Sequence, residues 1–237
     1  MSRIVSLLST AWVLILFLSM LQAAPAAAES YGALQLGLTI PHALSGIDLD
    51  EAGSPPGTLT DLSLNKSFMY GGKLGHYFEG STMPWFKDVF KGKSWLGVET
   101  EVFNSTPHIE QQDQTRTGLG RPTATGISTG ATLRVLTWAL NVIARYPGER
   151  WQPYLGIGLG VFFANLNDKS VNESQSSTSP GLNTQVGIRY ILNKQVSLFG
   201  EWKFNYTRLN FSETAALFGM DATYKVHHLA VGLAYHF

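Results

Sequence analysis

The sequence contains no cysteine, and only 14% of its 237 residues are charged. The lack of cysteine excludes disulfides, thiol catalysis and metal sites built on thiolates. The charged fraction is low, because a typical soluble domain carries about 25%. The formal net charge is zero. The sequence therefore has neither the basic surplus of a nucleic-acid-binding protein nor the acidic run of a solvated tail. These deficits favour a protein whose outer surface is not fully in contact with water.

Long apolar runs are scarce as well, and the longest lies near the N-terminus. Arg3 supplies a basic start, residues 11–21 form an apolar core, and residues 26–28 give a small-residue cleavage pattern. This arrangement predicts a secretory signal peptide over residues 1–28. A permanent membrane anchor is the alternative, but such a helix needs about 20 apolar residues. We therefore expect one mature domain over residues 29–237, with no later segment long enough for a membrane helix.

Eight later stretches alternate between apolar residues and small or polar residues. This period of two is the pattern of β-strands with one dry face. In the clearest stretch, Leu155, Ile157 and Leu159 alternate with Gly156 and Gly158. The eight stretches are residues 33–40, 68–78, 96–102, 137–146, 155–163, 182–190, 198–206 and 229–237.

The composition of the two rows separates a barrel in lipid from a soluble sandwich. The apolar rows carry no Asp, Glu, Lys or Arg; only His76 and, at the edge, His227 enter them. The opposite rows mix glycine and alanine with isolated charges, which suits the narrow lumen of an eight-stranded barrel. A sheet that spans hydrocarbon must close, because lipid offers no partner for backbone N–H and C=O groups. The predicted fold is therefore all-β, an eight-stranded antiparallel up-and-down transmembrane β-barrel. Aromatic residues at the row ends resemble the girdles of such barrels: Tyr146, Tyr190, Tyr206, Tyr235 and Phe237.

The connections alternate in length, which predicts the orientation of the barrel. Long extracellular loops and short periplasmic turns are the rule for outer-membrane barrels, so the parity places both termini in the periplasm. The connection at 79–94 is long for a turn, and its apolar residues fit either a short interfacial helix or an irregular loop. The long polar segments are 41–66, 104–126, 165–180 and 208–222, and the short ones are 147–151 and 193–195.

Several motifs resemble a known family. The ending AVGLAYHF, with Gly232, Tyr235 and Phe237, resembles the C-terminal signal that the barrel assembly machinery of the outer membrane recognises. The segments GGKLGHYF, WLGVETEV, RYPGERWQPYLGIGLG and VGIRYILNKQVSLFGEWKF resemble the small outer-membrane β-barrels that include the OmpA-like transmembrane domain and the opacity proteins. The resemblance implies a bacterial outer-membrane location, with membrane lipid and the assembly machinery as partners. Family members mostly lack enzymatic activity and serve structural, adhesive or surface-interaction roles through their loops.

Seven charged residues share the inward parity of their strands. We expect Lys73 to meet Glu99 and Arg189 to meet Glu201, because an unpaired charge in a narrow lumen costs several kcal/mol. A plug of salt bridges is the favoured interpretation, and a gated ion path is the alternative. A third interpretation takes Glu99 and Glu101 as a catalytic acid and base, but no nearby residues suggest a substrate pocket. The seven residues are Lys73, Glu99, Glu101, Arg145, Arg189, Glu201 and Lys203.

No other motif predicts a catalytic residue, a cofactor or a metal site. The glycines at 156, 158 and 160 lie inside a predicted strand, so they do not form a dinucleotide-binding loop. None of the six histidines has the i, i+4 spacing of a helical zinc site, although two loop histidines could still converge in space. Some barrels are lipid A deacylases with a His followed two residues later by Ser, and no histidine here has that spacing.

Three hypotheses about function follow. The leading one is a non-enzymatic barrel with a structural or surface-interaction role, in which the loops bind an extracellular ligand. The second is a small channel or a conduit for hydrophobic compounds like the OmpW-like barrels, which a lateral opening between strands would favour. The third is a lipid-modifying enzyme.

Overall fold

The computed structural model describes residues 29–78, 94–127, 130–168, 173–214 and 217–237. The predicted signal peptide and most of the connection at 79–94 lie outside these residues. Within the described residues, no helix is long and apolar enough to cross a membrane. The strands are β1 (Glu29–Pro41), β2 (Ser45–Asp50), β3 (Gly57–Leu59), β4 (Ser67–Tyr77), β5 (Leu96–Ser105), β6 (His108–Ile109), β7 (Asp113–Gly118), β8 (Ala124–Ile127), β9 (Ala131–Arg145), β10 (Trp151–Asp168), β11 (Glu173–Ile191), β12 (Val196–Phe211) and β13 (Gly219–His236).

The long strands form a closed antiparallel barrel. The strands β1, β4, β5, β9, β10, β11, β12 and β13 pair in that order, and β1 pairs with β13 from Tyr31–His236 to Pro41–Val226. This arrangement confirms the predicted eight-stranded up-and-down barrel. Each predicted stretch lies within one of these strands or overlaps its end, because the alternation of the sequence matches the two faces of the sheet.

The two faces of the wall differ as the alternation predicts. On β1, Leu34 and Leu36 are 75% and 63% exposed, whereas Gln35 between them is 4% exposed. The exposed row is largely apolar from the turn end through the middle of the barrel strands and becomes polar toward the loop end, where Arg208 and Lys225 are exposed. The buried row faces the lumen and contains the seven charged residues predicted there and most of the glycines of these strands.

The two ends of the barrel have different connections. The turn end carries Glu29, which is the first described residue, Phe237 and the short connections at 146–150 and 192–195. The connections after β1, β5, β10 and β12 lie at the loop end. At the loop end, β2 pairs with the first residues of β13, and β3, β7 and β8 extend this sheet. The barrel wall therefore continues into a smaller folded sheet beyond its loop end.

The predicted long loops are shorter than expected. The segment 165–180 was predicted to be a long polar loop, but β10 continues to Asp168 and β11 begins at Glu173, and the two pair throughout. The prediction was wrong because serine and threonine on alternating positions suit a strand whose two faces both meet polar groups. The segments 41–66 and 104–126 likewise contain β2, β3, β6, β7 and β8.

Candidate functional site: the filled lumen

A chain of ion pairs crosses the middle of the lumen. Lys73 Nζ lies 3.1 Å from Glu99 Oε1 and 2.8 Å from Glu201 Oε2. Lys203 Nζ lies 3.0 Å from Glu201 Oε1 and also pairs with Glu101. The five side chains are at most 1% exposed. Their positive and negative groups therefore alternate in the order Glu99, Lys73, Glu201, Lys203, Glu101.

Neutral side chains complete the hydrogen bonding of these carboxylates. The amide of Gln185 donates to Glu99 at 2.7 Å, and the Tyr154 hydroxyl donates to Glu201 at 2.6 Å. A buried charge is tolerated only when its hydrogen-bonding capacity is filled. Further donors to Glu101 are Asn183 at 2.8 Å, Asn141 at 3.2 Å and Gln35 at 3.2 Å.

A second group of charges closes the turn end. Arg145 pairs with Glu29 through both of its terminal nitrogens, and His236 Nδ1 lies 2.9 Å from Glu29 Oε1. Arg145 also lies 3.7 Å from the centre of the Tyr77 ring. Sequence parity predicted Arg145 here but missed Glu29, which comes directly after the predicted cleavage site and was not treated as part of a strand.

The predicted pair of Arg189 and Glu201 does not form. The register places Glu201 opposite Gly187 and Arg189 opposite Phe199, so Arg189 lies nearer the turn end. Its guanidinium instead lies 4.0 Å from the centre of the Tyr31 ring, and the Tyr31 hydroxyl donates to Glu99. The prediction was wrong because the sequences of two adjacent strands do not show which of their residues lie opposite each other.

The charges of the lumen balance when Glu29, whose side chain is 33% exposed, is counted with the buried ones. Four cations face four carboxylates: Lys73, Lys203, Arg145 and Arg189 against Glu29, Glu99, Glu101 and Glu201. A neutral total is expected, because each uncompensated buried charge carries a large desolvation penalty. The lumen from the turn end to its middle is thus filled by side chains whose formal charges cancel, with Arg189 held by the Tyr31 ring and not by a carboxylate.

The loop-end half of the lumen contains a large apolar core, which the sequence did not predict. Inward residues of the barrel strands pack there against residues of the loop-end segments. Leu133, Phe162 and Leu209 are fully buried in one cluster with Leu44, which precedes β2, and with Ile47 of β2. The signal was available in the sequence, since inward parity continues from Thr137 through Val135 to Leu133. We call this group the loop-end core. It also includes Leu49, Leu62, Ile109, Leu119, Val135, Ala164, Leu166, Phe211, Met220, Ala222, Tyr224 and Val226.

The pairing of β11 with β12 stops before either strand ends. The last pair is Gly181–Thr207, and Pro180 follows. The Pro180 carbonyl accepts from Thr207 Oγ1 at 2.8 Å, so it faces β12. The carbonyl and nitrogen of one strand residue point the same way, and proline has no N–H to donate. The backbone ladder therefore ends at Pro180.

Side chains bridge the two strands beyond this point. The backbone N–H of Asn210 donates to Ser177 Oγ at 2.9 Å. The amide of Gln175 donates to the carbonyls of Ser212 at 2.7 Å and Phe218 at 2.9 Å. We call this stretch, from Pro180 to the loop end, the β11–β12 seam. It lies beside the loop-end core, because Leu209 and Phe211 belong to both.

Charges of the loop-end sheet form exposed pairs. Arg121 lies 2.7 Å from Glu51, and Ser54 Oγ donates to the same carboxylate at 2.9 Å. The hydrogen bond from Ser54, followed by that from Arg121, lowers the pKa of Glu51 below its ordinary value of 4.5. These contacts connect the segment between β2 and β3 to the segment between β7 and β8.

The remaining predicted residues have structural positions. Gly156, Gly158 and Gly160 lie inside β10 with their backbone against the lumen residues. Gly232 faces the lumen beneath the Phe199 ring, and Tyr235 is half exposed on the outer surface. Recognition of Gly232, Tyr235 and Phe237 by the assembly machinery stays a prediction. Across the described segments, no group of three or more His, Asp or Glu side chains is placed to hold a metal ion.

The fold and the filled lumen define a small membrane-spanning β-barrel, and the family follows from comparison. Residues 13–237 match the model of the outer membrane protein beta-barrel domain, so the chain belongs to this family and is an outer-membrane β-barrel. No curated protein matches the chain in sequence.

Solved structures share the fold at low sequence identity. The chain is similar to the outer membrane protein OprG from Pseudomonas aeruginosa, with 17% identity and a TM-score of 0.57 over 89% of this chain and 96% of that one. It is also similar to neisserial surface protein A, with 13% identity and a TM-score of 0.49 over 89% and 99% of the two chains. At 17% identity, the likeness to OprG supports the fold and not a specific role.

Proposed function

We propose that the chain is a non-enzymatic, non-conducting barrel that acts at the bacterial cell surface through its loop end. In this proposal both termini lie in the periplasm, and the loop-end sheet meets the outside. The observation that carries it is the chain of alternating ion pairs from Glu99 to Glu101, which fills the lumen with buried side chains. An ion would have to displace these pairs, and breaking a buried pair costs about 3–5 kcal/mol.

The loop end supports a surface role because it is built as a folded unit. The loop-end core attaches β2 and the segment before β4 to the barrel, and β3, β7 and β8 present polar threonine side chains to solvent. Binding residues concentrate on such segments when a rigid scaffold positions them. The chemistry of a ligand is not specified by these contacts.

Conductance in a planar bilayer tests the closed lumen. Folded protein, identified by its heat-modifiable mobility on gels, is expected to give no steady single-channel currents. Steady currents of uniform size would overturn the proposal.

The orientation is tested by inserting an epitope between Leu119 and Gly120, in the β7–β8 turn, and in a matched variant between Asn193 and Lys194, in the β11–β12 turn. An antibody should bind intact cells only with the first insertion.

A second candidate function is the passage of small hydrophobic compounds from the outside into the membrane. The β11–β12 seam favours it, because an interrupted ladder lies beside an apolar interior. The charged lumen below would then direct an apolar compound sideways through the seam. The loop-end core is packed, so passage requires that the segments around Leu44 and Leu62 move away.

One substitution separates the two candidates. The change Pro180→Val supplies the missing N–H toward β12, and Pro153→Val in β10 is the matched control away from the seam. If the seam conducts, uptake of an apolar dye by vesicles that contain the protein should slow with Pro180→Val and not with Pro153→Val. The lead proposal predicts uptake equal to that of protein-free vesicles for the natural protein and both variants.

A further inference from the structure

An open apolar groove runs along the outer surface of the barrel. Its volume is about 690 Å³, within the roughly 300–1,000 Å³ of ligand sites. The groove exists because Gly200 faces outward in a row of large residues, and a Cβ added there would meet no atom within 4 Å. Its walls are outward side chains of four neighbouring strands, among them Leu36, Val186, Ile188, Trp202 and Leu229.

Above the groove, toward the loop end, the same wall becomes aromatic and then basic. The register places Trp202 beside Leu229, Phe204 beside His227 and Tyr206 beside Lys225. The His227 ring lies 5.3 Å from the Trp202 ring and 5.0 Å from the His42 ring. An aromatic row followed by a basic row is the order expected where hydrocarbon gives way to headgroups.

Lys225 is the free cation of this wall. It is exposed and lies 5.8 Å from the centre of the Tyr206 ring, and no carboxylate among the described residues is within ion-pair distance of it. The nearby acids are engaged with another cation, since Arg208 lies 2.7 Å from Asp48 and 3.7 Å from Asp221. The ammonium group of Lys225 is therefore available to an anion that approaches from the membrane.

The spacing between Lys225 and the groove fits one leaflet. Tyr206, the partner of Lys225, is six residues from Gly200, which is about 20 Å along a strand. A strand tilted by about 45° covers roughly 14 Å of membrane depth over that length, and one leaflet of the hydrocarbon core is about 15 Å thick. With Lys225 at the headgroups, Gly200 lies near the middle of the bilayer.

We propose that this wall binds one acylated, phosphate-bearing glycolipid of the outer leaflet, with an acyl chain in the groove and a phosphate at Lys225. The proposal rests on the orientation given above, with the loop end outside. Charge complementarity at Lys225 favours a lipid over a second copy of the chain, because two copies in parallel orientation would place Lys225 against Lys225.

Native mass spectrometry of the folded protein in detergent, titrated with lipid A, tests the proposal. Gly200→Leu fills the groove in open space, and Ala144→Leu adds the same side chain to the outer face of β9 as its control. Lys225→Gln removes the cation, and Lys194→Gln removes an exposed cation of the turn end as its control. Dephosphorylated lipid A and free pyrophosphate separate the contributions of the chain and the phosphate. Heat-modifiable mobility confirms that each variant is folded.

The expected pattern has two parts. Gly200→Leu should weaken lipid A binding about tenfold, the equivalent of about two buried methylene groups, and Lys225→Gln should weaken it about threefold. Both controls should bind as the natural protein does, and pyrophosphate alone should not be retained. Equal binding by Gly200→Leu and Ala144→Leu, or a dimer that forms in place of the lipid complex, would overturn the proposal. If the orientation is inverted, the antibody would bind intact cells only with the insertion between Asn193 and Lys194, while lipid A binding by the folded protein would stay unchanged.

Discussion

The ring of Tyr31 occupies the space that a side chain on Gly75 would need. The two residues are partners in the pairing of β1 with β4, and a Cβ built on Gly75 would lie 2.3 Å from the Tyr31 ring. An aromatic ring that covers a glycine in the next strand protects the backbone and fills the lumen at the same time. The same relationship holds for Tyr154 over Gly187 and for Phe199 over Gly232.

This relationship predicts that Gly75→Ala destabilises the barrel. The new methyl group would push the Tyr31 ring away and disturb its hydrogen bond to Glu99, and such overpacking costs about 1–3 kcal/mol. Gly200→Ala is the matched control, because its Cβ meets no atom within 4 Å. Urea unfolding in lipid vesicles measures both free energies of unfolding. Equal values for the two variants would contradict the expected role of Tyr31.

The ion pairs predict that Lys73→Met is strongly destabilising. Removing the ammonium group leaves Glu99 and Glu201 with one partner fewer in a fully buried site, which costs about 3–5 kcal/mol. Lys194→Met, in the exposed turn between β11 and β12, should change the free energy of unfolding by less than about 0.5 kcal/mol. The double variant Lys73→Met with Glu99→Gln should recover part of the loss, because one of the two stranded charges is removed. Additive losses would show that Lys73 and Glu99 are not coupled.

Parity along the strands predicted which residues face the lumen, and this prediction required only the period of two. It placed Lys73 and Glu99 inward, and they form an ion pair. Which residues meet depends also on register, and the sequence does not contain it. The tilt and stagger of the closed barrel place Glu201 between Lys73 and Lys203, although Arg189 on the adjacent strand looked like its partner.

Composition is a poor guide to structure at the loop end. The serines between residues 174 and 179 predict a loop, yet Ser177 and Ser179 are buried inward residues of β11. The part of a strand that extends beyond the membrane does not need an apolar outer row. Its outward and inward residues can both be polar, and the apolar–polar alternation that identifies a strand is then missing. The apolar residues between β1 and β4, such as Leu44 and Ile47, did not predict a core, because β2 is only six residues long and its alternation covers only Ile47 and Leu49.

The exposed contact of Glu51 predicts a pH dependence at the loop end. Hydrogen bonds from Ser54 and Arg121 lower the pKa of Glu51 below 4.5, so the folded state favours the charged carboxylate. The stabilising contribution is therefore present above the unfolded pKa and is lost as the pH falls through the folded pKa. An NMR titration of the Glu51 carboxyl should give a midpoint below 4.5, and Arg121→Gln should raise it. A midpoint that Arg121→Gln leaves unchanged would show that the ion pair does not form in solution.

The loop-end core predicts that the sheet of β2, β3, β7 and β8, which we call the cap, can be detached from the barrel without unfolding the barrel. Leu44 is fully buried in this core and belongs to a loop, so Leu44→Ala removes packing between the cap and the lumen without changing a barrel strand. The cost is about 2–5 kcal/mol, and it should fall on the attachment of the cap. Trypsin should then cleave faster at the exposed Arg121, while the heat-modifiable mobility of the uncleaved barrel stays unchanged.

Ile127→Ala is the control, since this side chain is 63% exposed on β8 and its loss should not alter cleavage. If Leu44→Ala and Ile127→Ala are cleaved at the same rate, the loop-end core does not hold the cap. If Leu44→Ala instead unfolds the whole chain, the cap and the barrel form a single cooperative unit.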